Sequence, residues 1–346
     1  MRIRDHLIAP GQPTYLIAEL SGNHNGDKGR ALALIQAAAA AGADAVKLQT
    51  YTADTITIDG PQACFRIADG PWAGRTLHDL YSEASTPWAW HEDLFAEAQR
   101  LGLTCFSTPF DASAVAFLQG LGAPAYKIAS FELIDLPLIA RIAATGMPVI
   151  ASTGMADLGE IGAAVRTLQR GGCPAFALLA CVSAYPCAPE DFHLANIPAL
   201  AAAFACPAGL SDHSPGHVAA VAATTLGARI IEKHLCLRRA DGGPDAAFSL
   251  EPHEFAELVR AVRQTEAACS GGAVFGVGQA DAGSVQFRRS LFAVRDIPAG
   301  TVLGPEDVRS IRPGHGLPPA DLPRVLGRTA RVSITRGTPL SWSHLV

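Results

Sequence analysis

Two histidines close matching runs in consecutive stretches of this chain. His213 follows CPAGLSD (206–212), and His234 ends RIIEKH (229–234), with the helix-like GHVAAVAATTLGA between them. Neighbouring parallel strands lie about 4.8 Å apart, so imidazoles at two adjacent strand ends can share one ion. Two histidines leave coordination positions open, which suits a divalent metal such as Mn²⁺ or Mg²⁺. The plainer reading is a pair of hydrogen-bonded loop histidines, but their matching positions favour the metal. His217 falls too late, at the start of the next helix, and reads as structural.

Two lysines carry the next piece of chemistry. Lys47 lies in VKLQT and Lys127 in YKIAS, each near the end of an apolar run. A lysine so placed neutralises phosphate or carboxylate. Ser130, Ser152, Ser183 and Ser211 can add hydroxyl and backbone N–H donors, some of them at helix N-termini. The set fits an anion with several oxygens. One lysine could instead form a Schiff base, as in a metal-free aldolase. Glu19, Glu132 and Glu232 offer carboxylates near the same ends, as a general base or to orient a sugar hydroxyl.

These groups need a frame that brings strand ends together. Eight apolar runs alternate with Ala/Leu-rich helical segments: PTYLIAEL, AVKLQTY, TCFSTPF, AYKIAS, PVIASTG, AFALLACVS, CPAGLSD and RIIEKHL. Glycine closes many of the helices. Nearly continuous apolar strands predict a parallel sheet covered on both faces. Eight such units over roughly 250 residues predict a (β/α)8 barrel. A doubly wound open sheet is the alternative, but AELSGNHNG after the first strand lacks the GxGxxG spacing. Glu19, Lys47 with Gln49, Thr108, Lys127 with Ser130, Ser152, Ser183, Ser211 with His213, and Glu232 with His234 would then open on one face. The stretch 52–87 is long for a strand-to-helix loop; with Phe65, Trp72 and Tyr81 it could cap the mouth or contact another subunit.

After about residue 283 the pattern turns to Val, Pro and Gly. DIPAGTVLGPEDV (296–308) aligns without gaps on SITRGTPLSWSHL (333–345), matching Ile297/Ile334, Gly300/Gly337, Thr301/Thr338 and Leu303/Leu340. Two similar turn units predict a small pseudo-symmetric β domain, too small to be very stable alone. The expected boundaries are a barrel over 1–275, a linker over 276–284 and the β domain over 285–346.

The 346 residues are 49% hydrophobic with a formal net charge of −5, which argues against a nucleic-acid partner. No apolar run is long enough for a membrane span, and no h-region follows the basic start. The 8 cysteines form no CxxC pair; most lie in apolar runs and read as buried thiols of a cytoplasmic protein.

The motifs IAELSGNHNG, GADAVKLQTYTADTIT, FSTPFD, YKIASFE, STGMA, SAYP, GLSDH, GARIIEKH and RPGHGL together resemble the sialic acid synthase family. The likeness runs in order from about residue 13 to the end. LQTYTADTIT, GPWAGRTLHDLYSEASTPW, SFELIDLPLI and GGPDAAFSLEP bring it nearer to the pseudaminic acid branch than to N-acetylneuraminate synthases; an N-acetylneuraminate or legionaminate synthase, which would share the catalytic residues, stays the alternative. The resemblance implies a phosphoenolpyruvate-condensing TIM barrel followed by an antifreeze-like (SAF) domain, a cytoplasmic enzyme and a domain-swapped homodimer. It implies His213 and His234 as metal ligands and Glu19 as the catalytic carboxylate. Lys47, Lys127, Thr108, Ser130, Ser152, Ser183 and Ser211 would surround phosphoenolpyruvate. Gln49, Glu132, Tyr185, Glu232 and Asp245 would lie near an acetamido sugar, with Arg312 reaching the partner subunit's site. The reaction implied joins phosphoenolpyruvate to 2,4-diacetamido-2,4,6-trideoxy-L-altrose and releases phosphate by C–O cleavage.

Overall fold

The computed structural model describes residues 1–346. Eight parallel strands close into a barrel in chain order. They are β1 (Tyr15–Glu19), β2 (Ala45–Thr50), β3 (Thr104–Pro109), β4 (Tyr126–Ile128), β5 (Val149–Ser152), β6 (Phe176–Cys181), β7 (Ala208–Asp212) and β8 (Ile230–His234). The ring is sealed where β8 pairs with β1 on one side, His234 opposite Glu19, and with β7 on the other, Glu232 opposite Ser211. All eight expected strands are present in the expected order.

The barrel helices are α1 (Lys28–Ala41), α2 (His91–Arg100), α3 (Ala112–Gly120), α4 (Leu136–Ala143), α5 (Leu158–Arg170), α6 (Asn196–Phe204), α7 (Val218–Thr225) and α8 (Pro252–Cys269). Aspartates start several of them. Asp27, Asp111, Asp135 and Asp157 each accept from first-turn amides, which satisfies donors with no partner inside the helix. Gly42 ends α1 at φ 89°, a left-handed conformation that a side chain disfavours. The inner helix faces and the outward strand residues share one large core that includes Leu34, Ile35, Leu94, Leu118, Ile139, Leu168 and Phe255. Burying a Leu, Ile or Phe side chain contributes roughly 1.5–3 kcal/mol.

Strand side chains alternate between lumen and helix layer. The lower lumen is apolar: Tyr15, Ile17, Ala45, Phe106, Ile150 and Leu179 pack together. Ile3 and Ile8 join them from the N-terminal segment, whose two short strands Arg2–Ile3 and His6–Leu7 pair antiparallel. Two residues further along each strand the lumen turns polar, which creates the site described below.

The stretch between β2 and α2 folds as short helical pieces, Ala53–Ile56, Ala63–Phe65 and Leu77–Ala84. Trp72 Nε1 donates to Pro244 O at 2.7 Å, so this stretch lies against the loop after β8. No helix is long and apolar enough to cross a membrane.

The chain divides into two compact units, Met1–Ser270 and Gly271–Val346. A 3-10 helix spans Gln279–Phe287. In the second unit β9 (Ser290–Ala293) pairs antiparallel with β10 (Val308–Ile311). The sequence echo is a structural one. Ile297 and Ile334 exchange both backbone hydrogen bonds at 2.8 Å. Around them, Gly300 N to Ala330 O and Gly337 N to Ala293 O, both 2.8 Å, are equivalent bonds. Gly300 and Gly337 share the left-handed conformation, φ 81° and 88°. Ile297, Ile334, Leu303, Leu340, Val308 and Leu345, three matched pairs, fill this unit's core.

Candidate active site

Seven strands aim charged or hydroxylated side chains into the upper lumen. Lys127 Nζ, from β4, donates to Ser152 Oγ on β5 at 2.8 Å and to Glu232 Oε1 on β8 at 3.3 Å. Ser211 Oγ, from β7, donates to the same carboxylate oxygen at 3.1 Å. Lys47, from β2, is ion-paired with Glu19 on β1, donates to Thr108 Oγ1 at 3.2 Å and lies 3.8 Å from Glu232 Oε1. All four charged groups are buried, none more than 4% exposed. Two ammonium groups and two carboxylates balance one another, the condition under which buried charge is tolerated.

The pairing shifts each group. Burial pushes Glu19 up, and Lys47 opposes this without reversing it. Burial alone would lower Lys47, but Glu19 and Glu232 outweigh it and hold the ammonium form. Burial lowers Lys127. Glu232 is held below the usual carboxylate range because Lys127 and Lys47 overcome its burial. Glu232, expected among the sugar contacts, thus sits between the two lysines and bonds to both Lys127 and Ser211.

Next to this cluster Ser130 Oγ and Ser183 Oγ are 2.7 Å apart. Gly154 approaches them at φ 49°, and a Cβ there would overlap Ser130. The serines, the glycine and the lysines form a cradle for an anion.

The histidine pair adjoins it. The rings of His213 and His234 are 5.4 Å apart between centroids. Gly209 lets β7 and β8 approach closely, since a Cβ there would overlap Ile230 O. His213 Nδ1 donates to Val182 O at 2.8 Å, which leaves Nε2 with its lone pair toward the site. Burial lowers His213 to about 4, and burial and then His213 hold His234 well below its ordinary value. Both imidazoles are therefore neutral, the form that binds metal. His234 Nδ1 is buried without a hydrogen-bond partner. An orphaned imidazole nitrogen beside a second neutral imidazole fits a divalent cation. No third His, Cys, Asp or Glu completes a cluster.

An aromatic wall flanks the histidines. Tyr185 lies 4.4 Å from His213 between centroids, Phe248 lies 5.0 Å from His234, and the two are 5.1 Å apart. Glu132, on the 3-10 turn after β4, has a buried and unpartnered Oε2, and burial pushes its carboxyl up to about 7. Asp245 accepts from Ser21 Oγ. Gln49, two residues beyond Lys47, faces the same side of β2 and is half-buried. Arg312 belongs to the second unit and is exposed in the chain.

Several site residues were not singled out from the sequence. Period-two alternation puts Glu232 and His234 on the lumen side and Lys233 opposite. There Lys233 pairs with Asp212 at 2.8 Å and also donates to Ser214 O. Asp212 accepts from Ser214 N at 2.8 Å, so this pair fixes the turn that carries His213. Alternation on β6 likewise turns Cys181, opposite Ser211, to the lumen. Phe248 lies on a loop, where no periodicity marks it; Trp72, in the stretch expected to cap the mouth or contact another subunit, packs beside it.

A closed parallel barrel with charged side chains and a histidine pair gathered at the C-terminal strand ends is the architecture of a TIM-barrel enzyme. The chain belongs to the NeuB family: the family model matches residues 34–273, and the SAF domain model matches residues 288–346. It is 42% identical over 329 residues to the pseudaminic acid synthase of Campylobacter jejuni, covering 95% of this chain and 96% of that one. It is 32% identical over 341 residues to the N,N'-diacetyllegionaminic acid synthase of Legionella pneumophila, covering 96% and 94%. Among solved structures it resembles the N-acetylneuraminic acid synthetase of Leptospira borgpetersenii, crystallised with citrate, with a TM-score of 0.73 and 30% identity over 83% of this chain and 95% of that one.

Proposed function

We propose that this chain is a pseudaminic acid synthase. It would condense phosphoenolpyruvate with 2,4-diacetamido-2,4,6-trideoxy-L-altrose to give pseudaminic acid and inorganic phosphate. The observation that carries this reading is the buried Lys47–Lys127 cluster beside the His213–His234 pair. The higher identity to the pseudaminic than to the legionaminic relative supports the choice of sugar.

Lys47 and Lys127 bind the phosphate and carboxylate of phosphoenolpyruvate, with Thr108, Ser130, Ser152, Ser183 and Ser211 as further donors. His213 and His234 would hold a divalent ion, Mn²⁺ or Mg²⁺, which when bound polarises the sugar carbonyl as a Lewis acid. C3 of phosphoenolpyruvate attacks the aldehyde carbon of the open-chain sugar, whose oxygen takes a proton from solvent to become a hydroxyl, leaving a cationic C2. Water adds at C2 and gives its proton to Glu19, whose raised proton affinity suits a general base near neutral pH. The C2–O bond to phosphorus then breaks, phosphate departs, and the C2 hydroxyl loses its proton to become the ketone. Gln49, Glu132, Tyr185 and Asp245 line the sugar side.

We also read the functional unit as a homodimer in which Arg312 serves the partner subunit's site. The exposed apolar side chains Phe131, Ile134, Met155, Leu158 and Val218, on segments that follow barrel strands, support a partner at this end. The eight free thiols suit a reducing, cytoplasmic compartment.

Phosphoenolpyruvate labelled with ¹⁸O at the bridging position tests the chemistry. C–O cleavage sends the label into phosphate; label retained in the sugar acid would reject the mechanism. Borohydride trapping of pyruvate on the protein would favour a Schiff-base lyase instead.

A further inference from the structure

Three separate loops each deliver one aromatic side chain to the mouth beside the histidines. Trp72 comes from the long stretch after β2, Tyr185 from the loop after β6 and Phe248 from the loop after β8. Tyr185 and Phe248 each pack on one histidine, while Trp72 stands one ring further out, 5.8 Å from Tyr185 and 6.4 Å from Phe248 between centroids. The only polar atom of Trp72 is already spent on Pro244 O, and Phe248 has none.

We infer that Trp72 and Phe248, with the ring of Tyr185, receive the methyl group at C6 of a 6-deoxy sugar and set the preference against its hydroxymethyl counterpart. The inference rests on the function proposed above. An open-chain hexose places C6 about 6 Å from C1, five bonds of about 1.5 Å each in a zigzag. With C1 among the lysines and histidines, C6 falls beside the outer ring of this wall. A methyl group there gains apolar contact. A hydroxyl there leaves water and meets aromatic faces. A hydrophobic pocket that must reject an added hydroxyl achieves about 10- to 100-fold discrimination.

The test compares kcat/KM, read as phosphate release, for 2,4-diacetamido-2,4,6-trideoxy-L-altrose and for the same sugar with its 6-hydroxyl, in the wild type, Trp72→Gln and Phe248→Leu. Calorimetric binding of phosphoenolpyruvate to each variant reports an intact barrel. The wild type is expected to favour the deoxy sugar by about 10- to 100-fold. In Trp72→Gln that ratio should fall at least about fivefold, mainly through a higher KM for the deoxy sugar. A wild-type ratio near one, or a ratio unchanged in both variants, overturns the inference and leaves the synthase reading standing. A wild type that releases no phosphate with either sugar overturns the synthase reading and the inference with it.

Discussion

His213 and His234 face each other across neighbouring strands, ring centroids 5.4 Å apart, one with its Nδ1 fixed by Val182 O and the other with its Nδ1 buried and unpartnered. Replacing either by Ala should remove metal-dependent phosphate release by a factor of at least about 10³ and leave a folded barrel. Mn²⁺ binding, followed by the loss of its free-ion electron paramagnetic resonance signal, should vanish in parallel. Full activity in both variants would remove the metal role.

Lys127 and Glu232 are paired in the lumen, and in the proposed reaction phosphoenolpyruvate would join them. Lys127→Met should weaken phosphoenolpyruvate binding on the order of 100-fold or more and also leave Glu232 with fewer partners in a buried site. Pairing Lys127→Met with Glu232→Gln should restore stability without restoring binding. Calorimetry and thermal unfolding separate the two effects. Binding that returns with stability would contradict the anion-site assignment.

In the proposed complex phosphoenolpyruvate would bring negative charge beside Glu19, a carboxyl already raised by burial. A further anion raises it more, so the complex holds protons more tightly than the free protein near neutral pH. Binding should therefore take up protons, read as an enthalpy that varies with the ionisation enthalpy of the buffer. The uptake should disappear in Glu19→Gln.

Mild acid should destabilise the chain through three buried histidines. Burial lowers His24, His91 and His213 to about 4, each against a free value near 6.5. Between those values the unfolded chain binds protons that the native chain refuses. Stability is then full above about pH 6.5 and is lost as pH falls toward 4, by on the order of 1–3 kcal/mol per histidine. The Tm should drop by several degrees between pH 7 and pH 5. A flat Tm over that range would show these imidazoles to be charged or exposed.

The pseudo-two-fold of the second unit makes a symmetric prediction. Ile297→Ala and Ile334→Ala should each cost about 2–5 kcal/mol and loosen the same amides in hydrogen exchange, because each removes half of one central contact. A large asymmetry would mean that only one half of the repeat packs as described.

The strands were legible because each is an apolar run ending in a polar group, and a closed parallel barrel gathers such ends on one face. Lys47, Lys127, Ser152 and Ser211 could be grouped on that ground alone. The partnership of Glu232 was not legible. Alternation assigns it to the lumen, but only the closure of β8 on β1 and β7 brings it between Lys127 and Lys47, which lie 105 and 185 positions before it in the sequence. Lys233 was not legible because it works on the opposite face, where it pairs with the turn residue Asp212. Phe248 escaped because loops carry no period, whereas Trp72 was marked only by the unusual length of its loop. The N-terminal closure by Ile3 and Ile8 left no trace beyond two apolar residues.

The most direct test of the proposed reaction is phosphate release from phosphoenolpyruvate with 2,4-diacetamido-2,4,6-trideoxy-L-altrose, N-acetylmannosamine and the diacetamido precursor of legionaminic acid, each with and without Mn²⁺. Release should be fastest with the altrose sugar, match formation of a nine-carbon keto acid one to one, and fall to background after chelation. Release that ignores chelation, or that occurs with none of the three sugars, would contradict it.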